Sequence, residues 1–228
     1  MYLSAGVDPL ITPAFAAWAE TDGALRRYMV PLAASTDYLW AQDALANGSA
    51  LASTAGNSQL HRQYISPPLA SGITFTSGVS SFSCQIQGLE SAANDNIINR
   101  VRRVAVFSRD GGTLQATLIA LGNATSVVEW NTAMRNLTFL SSTTAGATYT
   151  TVAGDVLVLE VGHNDSGGVT ISGTLRFGIT GQTGDLGANE TDTTTTLRPW
   201  FESSVNLTFM KSDPLWAPPR RIAGLLPR

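Results

Sequence analysis

The run Ser81-Phe82-Ser83-Cys84-Gln85-Ile86-Gln87-Gly88 alternates strictly, with Phe82, Cys84 and Ile86 on one side and Ser83, Gln85 and Gln87 on the other. Successive side chains of an extended chain point to opposite faces, so this period of two predicts a strand with one face in a core. Residues 169–177 repeat it, setting Val169, Ile171, Leu175 and Phe177 against Thr170, Ser172, Thr174 and Arg176. The closing segment does so again, with Phe201, Val205, Leu207 and Phe209 opposed by Glu202, Ser204, Asn206 and Thr208. More continuous apolar runs at 101–107, 113–121 and 155–161 read as more fully buried strands. Turn residues separate them at Asp110-Gly111-Gly112, Gly122-Asn123 and Asn164-Asp165-Ser166-Gly167-Gly168. Helical periodicity is scarce, and residues 126–135 fit either one short helix or a bulged strand. The fold class that follows is all-β: a jelly-roll-like antiparallel β-sandwich with extended N- and C-terminal arms.

Residues 59–210 hold this strand signal and define the sandwich domain. Residues 1–58 are less regular, with a strand-like piece at 26–32 and a Gly/Ala/Ser/Thr/Asn stretch at 47–58, and read as an N-terminal arm with edge strands. Its aromatics Phe15, Trp18, Tyr28, Tyr38 and Trp40 are too many for a free tail. Two readings stay open for them: a neighbouring surface, or an extension of the local core. Residues 211–228 form a second arm. Pro214, Pro218, Pro219 and Pro227 forbid regular structure, Lys211, Arg220, Arg221 and Arg228 make it basic, and Leu215, Trp216, Ile222, Leu225 and Leu226 supply apolar anchors. Prolines reduce the entropy lost when such a segment docks, so it reads as a peptide that lies along a partner. Phe15, Trp18, Tyr28, Trp40, Trp216, Arg220, Arg221 and Leu225 are therefore the candidate partner-binding residues.

Composition narrows the function classes. Hydrophobic residues make up 43% of the 228 and charged residues 14%, well under the quarter or so usual in soluble proteins, so Ser, Thr, Asn and Gly must coat the surface. A net charge of −3 gives no basic field for a phosphate backbone, which argues against nucleic acid as a partner. Lys211 is the only lysine, and the remaining cations are arginines, which suit fixed planar hydrogen bonding. The single Cys84 excludes an intramolecular disulfide and a cysteine-based zinc site. The opening residues lack a basic leader and are broken by Asp8, Pro9 and Pro13, so no signal peptide is expected. No apolar run approaches the roughly 20 residues of a membrane helix. Synthesis in a reducing cytoplasm, without a membrane partner, is the expectation.

Motifs for chemistry are sparse. His61 and His163 are far apart in sequence and too few for a metal centre or a triad. His163, Asp165 and Ser166 lie too close together to relay a proton, and read as a surface turn. Cys84 belongs to the inward set of its strand and reads as a small core residue. Asp185, Glu190 and Asp192, with Asn189 and the threonines 193–196, put several oxygens in one loop, but their spacing matches no calcium loop, and a solvated turn is the simpler reading. There is no Walker loop, dinucleotide fingerprint or His-Glu-x-x-His helix. Asn-x-Ser/Thr sequons, as at Asn123 and Asn206, follow from a chain rich in those residues. The expectation is a protein that is not an enzyme and needs no cofactor or metal.

The sequence Gln63-Tyr64-Ile65-Ser66-Pro67-Pro68-Leu69, the strand end Gly88-Leu89-Glu90-Ser91-Ala92-Ala93-Asn94 and Arg100-Val101-Arg102 leading to Phe107 resemble virion structural proteins of tailed bacteriophages. Ala153-Gly154-Asp155-Val156-Leu157-Val158-Leu159-Glu160-Val161 and the Gly/Thr/Asp loop before the closing strand extend the resemblance over roughly residues 60–210. It implies a location in the virion and a role in the shell or its appendages. A capsid decoration or cement protein is the leading expectation, a homo-oligomer, with a trimer as the guess, whose arms bind the major capsid protein or other virion proteins. A neck or tail component is one alternative. A glycan- or receptor-binding module using Trp130, Tyr149 and Trp200 is another.

Overall fold

The computed structural model describes residues 2–3, 26–30, 46–47, 50–53, 58–97, 100–124, 129–141, 146–164, 170–177, 184–187, 189, 193 and 197–210. All regular elements among them are strands: β1 (Tyr2–Leu3), β2 (Arg26–Val30), β3 (Ala46–Asn47), β4 (Leu51–Ser53), β5 (Ser58–Ile65), β6 (Thr74–Phe75), β7 (Phe82–Glu90), β8 (Arg100–Phe107), β9 (Leu114–Ala124), β10 (Arg135–Ser141), β11 (Tyr149–Thr150), β12 (Val156–Asn164), β13 (Ile171–Phe177), β14 (Gly184–Asp185), β15 (Leu197–Arg198) and β16 (Trp200–Ser203).

One sheet runs β5–β12–β8–β9, antiparallel throughout, with β2 added parallel to β5. The other is built around β7. β10 pairs with it from Phe82 to Gly88 on one side; on the other, β16 covers its first half and β13 its second. β3 and β4 extend that sheet beyond β13. β1 joins the two sheets, since Tyr2 pairs with Trp200 on one hand and with Val30 on the other. Along the opposite margin, β9 meets β8 with its register broken at three places, between Arg102 and Val104, Val104 and Ala105, and Val106 and Phe107.

The inward faces meet in one core. Tyr64, Val104, Val106, Leu157, Leu159 and Val161 come from the first sheet, and Phe82, Cys84, Ile86, Leu137, Leu175 and Phe201 from the second. Each such side chain contributes about 1.5–3 kcal/mol on full burial. Phe82 stacks on Phe201 with ring centroids 5.6 Å apart and on its other flank meets Phe75 at 5.8 Å. Cys84 is the core residue that its alternation predicts, and burial pushes its thiol up to about 12. The antiparallel sandwich is thus the one that the alternation announces; the jelly-roll winding is a finer statement than this strand order makes.

Three local expectations are corrected. The closing strand is short: β16 ends at Ser203, and residues 204–209 keep their in-out alternation without a ladder, closing with a single bridge between Leu69 and Phe209. β10 is a strand that patterning at 126–135 did not reveal, because its residues Arg135-Asn136-Leu137-Thr138 alternate only after the ambiguous segment ends. Gln85 and Gln87, on the side of β7 away from the core, are as buried as the apolar set.

Candidate functional site

The polar face of β7 and β10 is sealed by the segment after β14. Gln85 donates from Nε2 to the Asn189 carbonyl at 2.8 Å and accepts the Thr138 hydroxyl at 2.6 Å. Gln87 donates to Asn136 Oδ1 at 3.0 Å, and Asn136 Nδ2 donates to the Gly187 carbonyl at 3.3 Å. Trp200 Nε1 holds the Leu186 carbonyl at 2.6 Å. Side-chain amides, which both donate and accept, can satisfy a loop backbone that crosses a sheet outside its ladder. Within the segment read as an oxygen-rich loop, Leu186, Gly187 and Asn189 therefore work as a strap. Asp185, its describable carboxylate, lies 3.7 Å from Arg198 Nε across the β14–β15 pair, while Glu190 and Asp192 lie outside the described residues.

On the outer face of the first sheet, Ile65, Ala105, Phe107, Val156 and Val158 form a second apolar cluster. Beside it Glu160, 1% exposed, accepts from Gln63 Nε2 at 2.8 Å and faces Arg103 Nη1 at 3.7 Å. A charge so buried is tolerated only when paired and hydrogen-bonded. At the end of the sandwich the small β6–β11 pair is pinned by Asp155, whose Oδ2 accepts the Tyr149 hydroxyl at 2.6 Å and the Val152 N–H at 2.8 Å. Burial and that carboxylate both push the Tyr149 phenol up. Val79 and Val152 are the large apolar side chains most exposed among the described residues.

The histidines are brought together, against the reading that they are isolated. His163 sits on β12 in the inward set rather than in a surface turn, and His61 Nε2 approaches His163 Nδ1 to 2.7 Å. Trp130 closes over them, 5.8 Å from the His163 ring and 6.3 Å from His61. Gly173 lets them close, since a Cβ there would stand 2.8 Å from Trp130 Cζ3 and 3.0 Å from His163 Nδ1. Burial holds His61 well below the ordinary imidazole value, with His163 and then Arg62 adding to the effect. No nucleophile is assigned to this pair, and no group of three or more His, Cys, Asp or Glu suited to a metal occurs among the described residues.

The sequence-derived partner residues fall largely outside what the structure describes. That holds for Phe15, Trp18, Trp40, Trp216, Arg220, Arg221 and Leu225; the backbone of Tyr28 lies on β2, opposite Ile65 of β5. Of the aromatics proposed for glycan binding, Trp130 is buried, whereas Tyr149 and Trp200 are partly exposed with their polar atoms engaged by Asp155 and Leu186.

No family model matches the chain, and no curated protein matches it. Among solved structures it is similar to the Gt strain of infectious bursal disease virus, with 12% identity, 77% of this chain and 40% of that chain covered and a TM-score of 0.28. It is also similar to that virus's T13 viral particle at 13% identity, with 77% and 39% covered and a TM-score of 0.28. Its VP2 subviral particle is similar at 11% identity, with 82% and 47% covered and a TM-score of 0.25. The chain spans less than half the length of these solved chains, and likeness at this level carries no argument about function.

Proposed function

We propose that this chain is a structural component of a virus particle that works by holding other protein surfaces. The observation that carries the reading is the employment of its reactive groups. Cys84, His61, His163, Glu160 and Asp155 are each buried, and the four ionisable side chains besides Cys84 are each engaged with another side chain. Such groups stabilise a scaffold, and none of these five is presented for turnover. A charge-poor sandwich flanked by an aromatic segment before residue 59 and a Pro/Arg-rich one after residue 210 suits a component that lashes neighbours together, where many weak contacts add.

Within that role, a capsid decoration protein of a tailed phage, assembled as a homo-oligomer on the major capsid protein through Trp216, Arg220, Arg221 and Leu225, is the specific reading. A chain ending at residue 210 should fold with the same circular dichroism and cooperative melt as the full chain, yet be incorporated into particles at a small fraction of its level. Normal incorporation of the truncated chain would overturn the role given to this arm.

A further inference from the structure

The strand β5 carries one residue too many opposite β12. Arg62 pairs with Val161 and Leu60 with Gly162, so His61 is the extra residue of a bulge. In regular alternation Leu60, Arg62 and Tyr64 share a side and His61 points away from it. The bulge re-aims His61, leaving both Leu60 and His61 buried and the imidazole against His163. Bulges bend a strand and redirect a side chain, and they recur where a protein needs one in an irregular place. Here the bulge, the close approach at Gly173 and the cover of Trp130 converge on one pair of rings.

We propose that the His61–His163 pair is an acid-sensitive latch that locks β5 to β12 at the bulged end of the sandwich. The inference is independent of the particle role. Two neutral imidazoles share one hydrogen, Nε2 to Nδ1, and fill the site without net charge. An added proton places a cation between Trp130 and Gly173 on the inner side of both strands. Among the described residues, the charged groups around the pair do not favour it. Arg62 follows His61 on β5, and on β8 Arg100 is the register partner of His163 and Arg102 that of Val161. Glu90, opposite Gly173, has its carboxylate on the Ile97 N–H, and Glu129 adjoins Trp130.

The sign follows from burial. His61 is held neutral in the fold and protonates ordinarily once unfolded, so its contribution is complete above about pH 6.5 and is lost as pH falls below it. As long as it stays neutral in the fold, one such histidine raises the unfolding constant about tenfold per pH unit, and so about a hundredfold by pH 4.5. The test is urea denaturation of the full chain at pH 7 and pH 4.5, beside the variant His61→Gln/His163→Gln. The wild type should lose at least about a hundredfold more than the variant, and amides of Leu60 and Gly162 should lose exchange protection first, after correction for intrinsic rates. Equal losses in the two proteins would overturn the latch. Should the variant not fold, imidazole resonances of the wild type decide. Rings that stay neutral until the fold is lost support the latch, and a folded-state titration of His61 near pH 6.5 refutes it.

Discussion

Replacing Gly173 by alanine should destabilise the protein, although alanine is ordinarily the better residue in a strand. Relieving glycine's backbone entropy contributes about 0.5–1 kcal/mol in alanine's favour. Against it, the new methyl would lie 2.8 Å from Trp130 Cζ3 and 3.0 Å from His163 Nδ1, where carbon contacts settle at about 3.5–4.0 Å. Trp130 is 1% exposed and His163 fully buried, so neither ring has open space to yield into. Overpacking of this kind costs about 1–3 kcal/mol, and the overlap of nearly 1 Å against a rigid indole puts it in the upper half of that range. The net loss is then about 1–2.5 kcal/mol, or roughly 2–10 °C in melting temperature for a chain of this size. Urea denaturation at pH 7.5, with unchanged slope, measures it. The cause is isolated by repeating the substitution in a Trp130→Phe background, where the shorter ring removes the overlapping atom. There the cost of Gly173→Ala should shrink by at least about 0.5 kcal/mol. A neutral or stabilising Gly173→Ala, or a cost that is the same in both backgrounds, would refute the reasoning.

Asp155→Ala leaves the Tyr149 hydroxyl and the Val152 N–H without their acceptor and should cost about 2–3 kcal/mol, while Tyr149→Phe, which removes the phenol as well as its need, should cost about 1 kcal/mol. Thermal melts of both variants check the ranking. Cys84, held in the core with its thiol pushed up to about 12, should resist a soluble disulfide reagent at pH 8 in the native protein and react within minutes in denaturant, which the reagent's absorbance reports directly.

Much of the sandwich is written in alternation. Phe82, Cys84 and Ile86 are core because their spacing says so, and Phe201 to Thr208 keep their in-out order even where no ladder forms. The histidine pair was half legible. His163 follows Leu157, Leu159 and Val161 at period two and is inward by the same rule, but the bulge reverses the parity of His61, and no local signal announces it. The polar side of β7 misleads in the other direction. Gln85 and Gln87 look like solvent-facing residues, and their amides find internal partners only far along the chain, Thr138 and the Asn189 carbonyl for Gln85 and Asn136 for Gln87. Pairing over such distances is a property of the tertiary fold, which patterning within a strand does not carry. The docking role of the arm residues likewise rests on composition, because most of them lie outside the described residues.

The interrupted register along β9 bears on whether another chain could add to that margin by backbone pairing. A sheet margin with a straight row of amides invites another chain to zip onto it, and natural sheets spoil that row by kinking it. Three breaks within one strand pair do so here. A chain that met that flank would have to be held by side chains, which can be matched to one partner, and not by backbone, which would accept any.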